Sequence, residues 1–308
     1  MINYYMPGFY ECQTAYKRYF YLRDHYPECF YDNVNIKKIY GCFPNMIWNG
    51  GGAFFGLGVS RQEIYDTFHF YADKGVQLQI TCTNPVLEES DVYDRFGNTV
   101  LQIASEFDFI EVLVSSPILE KYIRKTYPKL KIDKSIIATT RDRDTDLDNL
   151  EFYLGQLEKY NMIVFPRKYS KDIDFLTSVP EDKRDKFEVL ATDPCPIYCP
   201  RLYSHYEDMG RRQLLCANGE LGCTSFSDGY PFKSKKFVKF QMKYPELVET
   251  YEPLGYTEIK ISGRIFMTDM ILLTSEYLIK PEYRHDVMVF LFEPYRNIPV
   301  YPDFSYWD

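Results

Sequence analysis

Histidine and tryptophan are scarce in this chain of 308 residues, at four and two copies, and basic side chains are outnumbered by acidic ones, 36 against 44. With only His25, His69, His205 and His285 to draw on, and His69 on a predicted helix, a histidine-based hydrolytic site is not expected. The nucleophile elbow G-x-S-x-G, the zinc motif H-E-x-x-H and the P-loop are absent. Gly50-Gly51-Gly52 and the following Gly56-Leu57-Gly58 lack the G-x-G-x-x-G order of a dinucleotide fingerprint; they read either as a loop whose backbone approaches a ligand or as a mobile lid. No run of about 18 apolar residues occurs, so no membrane span is expected. The start, Met1-Ile2-Asn3-Tyr4-Tyr5, lacks the basic and apolar regions of a signal peptide, and the expectation is a soluble, cytoplasmic protein. A net charge of −8 disfavours RNA as a partner; the one basic run, Lys233 to Lys243, reads as a solvated loop and strand edge.

What is present is core material. Hydrophobic residues make up 45% of the chain and aromatics 18%, including 29 tyrosines, enough for one large domain with an aromatic filling, part of which could form a ligand platform. From residue 37 onward, short β-rich runs alternate with segments of helical period, the pattern of a parallel α/β fold. Strands are predicted at Lys37 to Phe43, Val76 to Cys82, Phe109 to Ser115, Lys134 to Thr139, Met162 to Phe165, Phe187 to Thr192, Phe237 to Gln241 and Glu258 to Ser262. Between them, Ser60-Arg61-Gln62-Glu63 is a capping box that opens a helix closed at Gly75, and Pro117 opens another. A helix through Leu147, Leu150, Leu154 and Leu157 takes Asp146 or Thr145 as its cap. The alternating acids Asp142, Asp144, Asp146 and Asp148 read as a solvated helix N-terminus. Eight strands alternating with helices predict a (β/α)8 barrel over residues 35–308, with a doubly wound sheet as its rival. Residues 1–34, rich in Tyr and Phe, are then an extension packed on the barrel, and residues 193–236 form a cysteine-bearing loop after the sixth strand.

Four of the eight cysteines, Cys195, Cys199, Cys216 and Cys223, fall within 29 residues, where even scatter would place about 0.75. Thiolate ligation of a metal centre would give a loop so broken by proline and glycine a reason to order. A [4Fe-4S] cluster and Zn2+ are both compatible with the spacing C-x3-C-x16-C-x6-C. Cys195 follows a strand end, which favours the cluster. Cys42, at the end of the first predicted strand, could replace Cys223 as fourth ligand, and His205 is another candidate; Cys12 and Cys29 read as buried thiols. In a barrel, residues just past the strand ends form the site. Those positions give Asn45, Asn84, Thr140, Arg141, Arg167 and Arg264 as candidate substrate-positioning or catalytic groups.

Two segments, FEVLATDPCPIYC and YTEIKISGRIFMTDMILLTSEYLIKPEYR, resemble the collagenase-like peptidase family, which has a (β/α)8-type barrel and includes oxygen-independent ubiquinone- and RNA-hydroxylation members. The resemblance is diffuse outside those segments. Lys260-Ile261-Ser262-Gly263-Arg264 stands where the family has K-I-E-G-R, with Ser262 in place of the acidic residue, and the H-G-x-x-C segment of the peptidase-named members is absent. The resemblance implies Cys195, Cys199 and Cys216 as cluster ligands, completed by Cys223 or Cys42. It also implies Lys260 and Arg264 facing the cavity, where they would hold an anionic substrate or cosubstrate. The function expected is iron–sulfur-dependent hydroxylation or a related redox modification of a small molecule or RNA. The alternatives are a noncatalytic partner subunit with a structural zinc or cluster loop, and a peptidase.

Overall fold

The first seven residues already decide the architecture. In the computed structural model, which describes residues 1–143, 145, 148–193, 199, 201–216, 241–262 and 267–295, β1 (Ile2–Pro7) pairs in parallel with β2 (Val34–Gly41) on one side and β8 (Glu258–Lys260) on the other. Between them run β3 (Gln77–Cys82), β4 (Ile110–Val114), β5 (Lys131–Lys134), β6 (Ile163–Val164) and β7 (Phe187–Leu190), each parallel to the next, so the sheet closes in sequence order. Helices α1 (Gln13–His25), α2 (Arg61–Asp73), α3 (Arg95–Ala104), α4 (Pro117–Thr126), α5 (Ile136–Asp142), α6 (Leu150–Gln156), α7 (Ile173–Ser178) and α8 (Leu202–Leu215) fill the crossovers. Further helices, Met267–Leu278 and Arg284–Phe292, follow β8. This is the (β/α)8 barrel expected from the alternation.

The strand inventory differs from the expectation at both ends. Residues 1–34 are not an appendage: they supply β1 and α1. Tyr4, Tyr5 and Met6 are fully buried, because a parallel strand held between two neighbours is covered on both faces. The strand expected at Phe237 to Gln241 falls, except for Gln241, outside the described residues, and the barrel closes without it. Lys134 to Thr139 is not a strand. β5 ends at Lys134, and the Ser135 hydroxyl accepts from the Ala138 amide at 3.2 Å, capping α5 so that the β-branched pair Ile136-Ile137 begins a helix.

Two local signals act as read, and two do not. Ser60 and Glu63 form the reciprocal capping box of α2, with Gly75 in the left-handed region (φ 67°) just past its end. Ser116 caps α4, with Pro117 at its first position. The cap of α6 is Asn149, which accepts from the Phe152 amide at 2.9 Å; Asp146 and Leu147 lie outside the described residues. Asp142 is not part of a solvated helix start either: it ends α5, buried, 2.7 Å from Lys134. Asp148 accepts from the Tyr153 hydroxyl at 2.8 Å, and Asp144 and Asp146 lie outside the described residues.

The aromatic content packs the layer between barrel and helices. Tyr16, Phe20 and Tyr71 meet edge to face or stacked between α1 and α2, and the Tyr16 and Tyr71 hydroxyls donate to the carbonyls of Pro7 (2.5 Å) and Phe9 (2.6 Å). Among the described residues, no helix is long and apolar enough to cross a membrane.

Candidate functional site

A barrel of this kind is normally filled by branched apolar side chains. Here the lumen is charged. Lys38 on β2 pairs with Glu111 on β4 and, at 3.2 Å, with Asp133 on β5. Gln79 on β3 donates to Asp133 at 2.6 Å, and Lys260 on β8 lies 2.8 Å from Glu188 on β7 and 3.3 Å from the Gln79 oxygen. Contacts between strands on opposite sides of a closed sheet can only run through its interior. At the amino end, the Tyr5 hydroxyl donates to Glu258 at 2.7 Å, and Lys37 reaches the same carboxylate at 2.8 Å. The exposed Asn161 donates to Asp133 at 3.2 Å.

Three carboxylates facing two ammonium groups leave one proton to be held. Burial, then the neighbouring Asp133 charge, push the Glu111 carboxyl up to about 7 against the pull of Lys38. Asp133 goes the other way: burial opposes its ionisation, but Lys38 and hydrogen bonds, including those from Gln79 and Asn161, hold it below the usual carboxylate range. Burial lowers Lys260, which also lies 4.1 Å from the centre of the Tyr40 ring.

The carboxyl-end mouth carries a second cluster. Arg167 follows β6, where Pro166 turns the chain into a short 3-10 segment. Its Nε donates to Asp193 at 2.5 Å, Nη1 to the Thr140 hydroxyl at 3.3 Å, and Nη2 to the Tyr206 hydroxyl. Arg167 and Asp193 are almost wholly buried. A charge pair this dry holds only because hydrogen bonds occupy what the pair leaves over.

Tyr206 belongs to α8, which lies across the mouth on three contacts spaced at 206, 210 and 213, one face of a helix. Gln213, fully buried, donates to the carbonyl of Met46 at 3.1 Å and accepts from the amide of Phe54 at 2.8 Å. Gly210 abuts Asn84, whose Nδ2 donates to its carbonyl at 3.1 Å.

The expected site residues divide accordingly. Thr140 and Arg167 are joined by a hydrogen bond, and Cys199, just before α8, is buried in a cluster with Ile137, Leu202 and Tyr206, its carbonyl accepting from Arg143 at 3.1 Å. Arg141 points along the rim, 3.1 Å from Asp142 and donating to the Ser115 carbonyl at 3.2 Å. Asn45 and Asn84 tie loops. Asn45, left-handed at φ 64°, exchanges hydrogen bonds with Gly56, and Asn84 joins Ile47 to Gly210. Lys260 does face the lumen, in an ion pair with Glu188. Cys42 is buried close enough to Cys82 that it adds to what burial already does in raising the Cys82 thiol. Cys195, Cys223 and Arg264 lie outside the described residues.

A shared metal centre was expected to take both Cys199 and Cys216. The structure places them at opposite ends of α8, whose 14 residues extend about 21 Å. Among the described residues no group of three or more His, Cys, Asp or Glu is placed to hold a metal ion. Of the described cysteines named for such a centre, Cys199 is buried just before α8 and Cys42 is buried just past the end of β2, whereas Cys216 is exposed.

The lumen residues Lys38, Gln79, Glu111, Asp133 and Glu188 were not anticipated. Their signal is present in the strands: VQLQITC, FIEVLV, KIDK and FEVL each carry a polar residue, Gln79, Glu111, Asp133 and Glu188, at a position that a strand in a parallel sheet buries.

No family model matches this chain, and no curated protein does. Among solved structures, that of the U32 peptidase Mk0906 is similar to it: 13% identity and a TM-score of 0.51, covering 86% of this chain and 94% of that one. At that identity the likeness is one of fold.

Proposed function

We propose that this chain is a U32-type barrel that works at its carboxyl-end mouth as an iron–sulfur-dependent redox protein. The reaction is oxygen-independent hydroxylation, or a related modification, of a small molecule bearing an anionic group. The observation that carries the reading is Cys199. It is buried in one cluster with Tyr206, whose hydroxyl accepts from Arg167, in the cysteine-dense stretch of sequence that follows β7. The cluster would draw on Cys199 and other cysteines of that loop, with Zn2+ as the alternative occupant.

The chain's own residues supply positioning. Asp193 and Thr140 fix the Arg167 guanidinium, and α8 excludes water from it. Protein purified anaerobically is expected to be coloured and to contain iron and acid-labile sulfide. Colourless protein with stoichiometric zinc overturns the cluster, and turnover of a peptide panel would replace hydroxylation by the peptidase reading that the fold neighbour suggests.

A second reading, a noncatalytic partner subunit, has its own support. The lumen is filled by internally paired charges, and α8 covers the mouth. Copurification with a partner, in protein that turns over no candidate substrate, favours that reading.

A further inference from the structure

Helix α8 settles more than the shape of the mouth. Its N-terminal side begins at Cys199, whose carbonyl accepts from the Leu202 amide at 3.3 Å; its far end is capped by Cys216, which is exposed, left-handed at φ 49°, and whose amide donates to the Arg212 carbonyl. Between them, Tyr206, Gly210 and Gln213 fix the helix to Arg167, to Asn84, and to Met46 and Phe54. These anchors fall on three turns of one face, so the helix cannot pivot or unwind in the middle without losing at least one of them.

Two thiolates on one zinc ion, each bonded at about 2.3 Å, stand no more than about 4.6 Å apart, and two on one cluster only a few ångströms further, far short of the roughly 21 Å that α8 extends. Bringing Cys216 that close to Cys199 requires breaking α8 and releasing the buried Gln213 amide, the Gly210 carbonyl and the Tyr206 hydroxyl from their partners. Each broken hydrogen bond costs about 0.5–1.5 kcal/mol, and more where a buried group is left unsatisfied.

We infer that α8 is a fixed cap on the barrel mouth and that it divides the cysteine set, placing Cys199 at the interior centre and Cys216 outside it as a solvent-facing thiol. For the metal centre this rests on the function proposed above, with a ligand set that excludes Cys216. The geometry of the cap stands apart from that reading.

Two measurements decide it. In anaerobically purified full-length protein, Cys216→Ser is expected to keep the parent's metal content per chain, whereas Cys199→Ser loses it. Equal loss in both variants overturns the inference. Independently, spin labels carried by non-canonical amino acids at the exposed positions Ser204 and Leu215 are expected to report a backbone separation of about 16 Å, eleven residues of helix. A separation below about 10 Å, in metal-loaded or metal-free protein, overturns it. If no metal is bound at all, the proposed cluster function fails, and the label distance alone decides the geometry of α8.

Discussion

Gly210 lies against Asn84 with no room for a side chain. A Cβ at position 210 would sit 2.2 Å from the Asn84 Oδ1 and 3.1 Å from Val86, while the Asn84 Nδ2 donates both to the Gly210 carbonyl at 3.1 Å and to the Ile47 carbonyl at 2.8 Å. One asparagine past the end of β3 therefore sets how closely α8 approaches the mouth.

Gly210→Ala is expected to lift α8, lowering stability by about 1–3 kcal/mol, as overpacking does. Limited proteolysis should then cut within residues 201–216 faster than in the parent. Asn84→Ala in the same chain makes room and should restore part of the loss; thermal melts of the two single variants and the double variant check this.

Arg167→Met removes the guanidinium that donates to the buried Asp193 and is expected to cost about 3–5 kcal/mol. Replacing both, Arg167→Met with Asp193→Leu, removes the buried carboxylate as well and should recover part of that. Denaturant unfolding of the full cycle gives the coupling between them.

The lumen predicts a pH dependence. Glu111 has its carboxyl raised from 4.5 to about 7, so the folded chain binds this proton more tightly than the unfolded chain does. The contribution is fully present below pH 4.5 and is lost as pH rises to 7, about 3 kcal/mol in all. Urea unfolding between pH 5 and 7.5 should show stability falling with pH in the parent, and a flatter profile in Glu111→Gln.

Deleting residues 1–7 removes β1 and exposes the edges of β2 and β8 that it joins. Near-ultraviolet circular dichroism of the truncated chain is expected to lose its native signal. A truncated chain that still unfolds cooperatively at the parent's midpoint would mean that the barrel closes without β1.

Much of the fold was legible because its signals are local. The Ser60 to Glu63 capping box, Ser116 with Pro117, and the apolar runs of β3, β4 and β7 each state their conformation within a few residues. The misreadings have separate causes. Met1 to Pro7 shows no strict alternation, and although β2 follows it closely in sequence, its other partner, β8, lies some 250 residues away. Ile136-Ile137 has strand-like composition, but the Ser135 side chain turns the backbone there into a helix.

By itself, then, the sequence determined the alternation of strands and helices, the caps of α2 and α4, and the parallel barrel class, because periodicity and capping are properties of adjacent residues. Only the tertiary structure decided that the barrel is closed by its N-terminal strand and that Lys38, Glu111, Asp133, Glu188 and Lys260 face one another. Ring closure turns alternate positions of separate strands into neighbours, and no single strand records that. It also decided that cysteines clustered in the chain need not cluster in space, since a helix between Cys199 and Cys216 converts short sequence separation into distance.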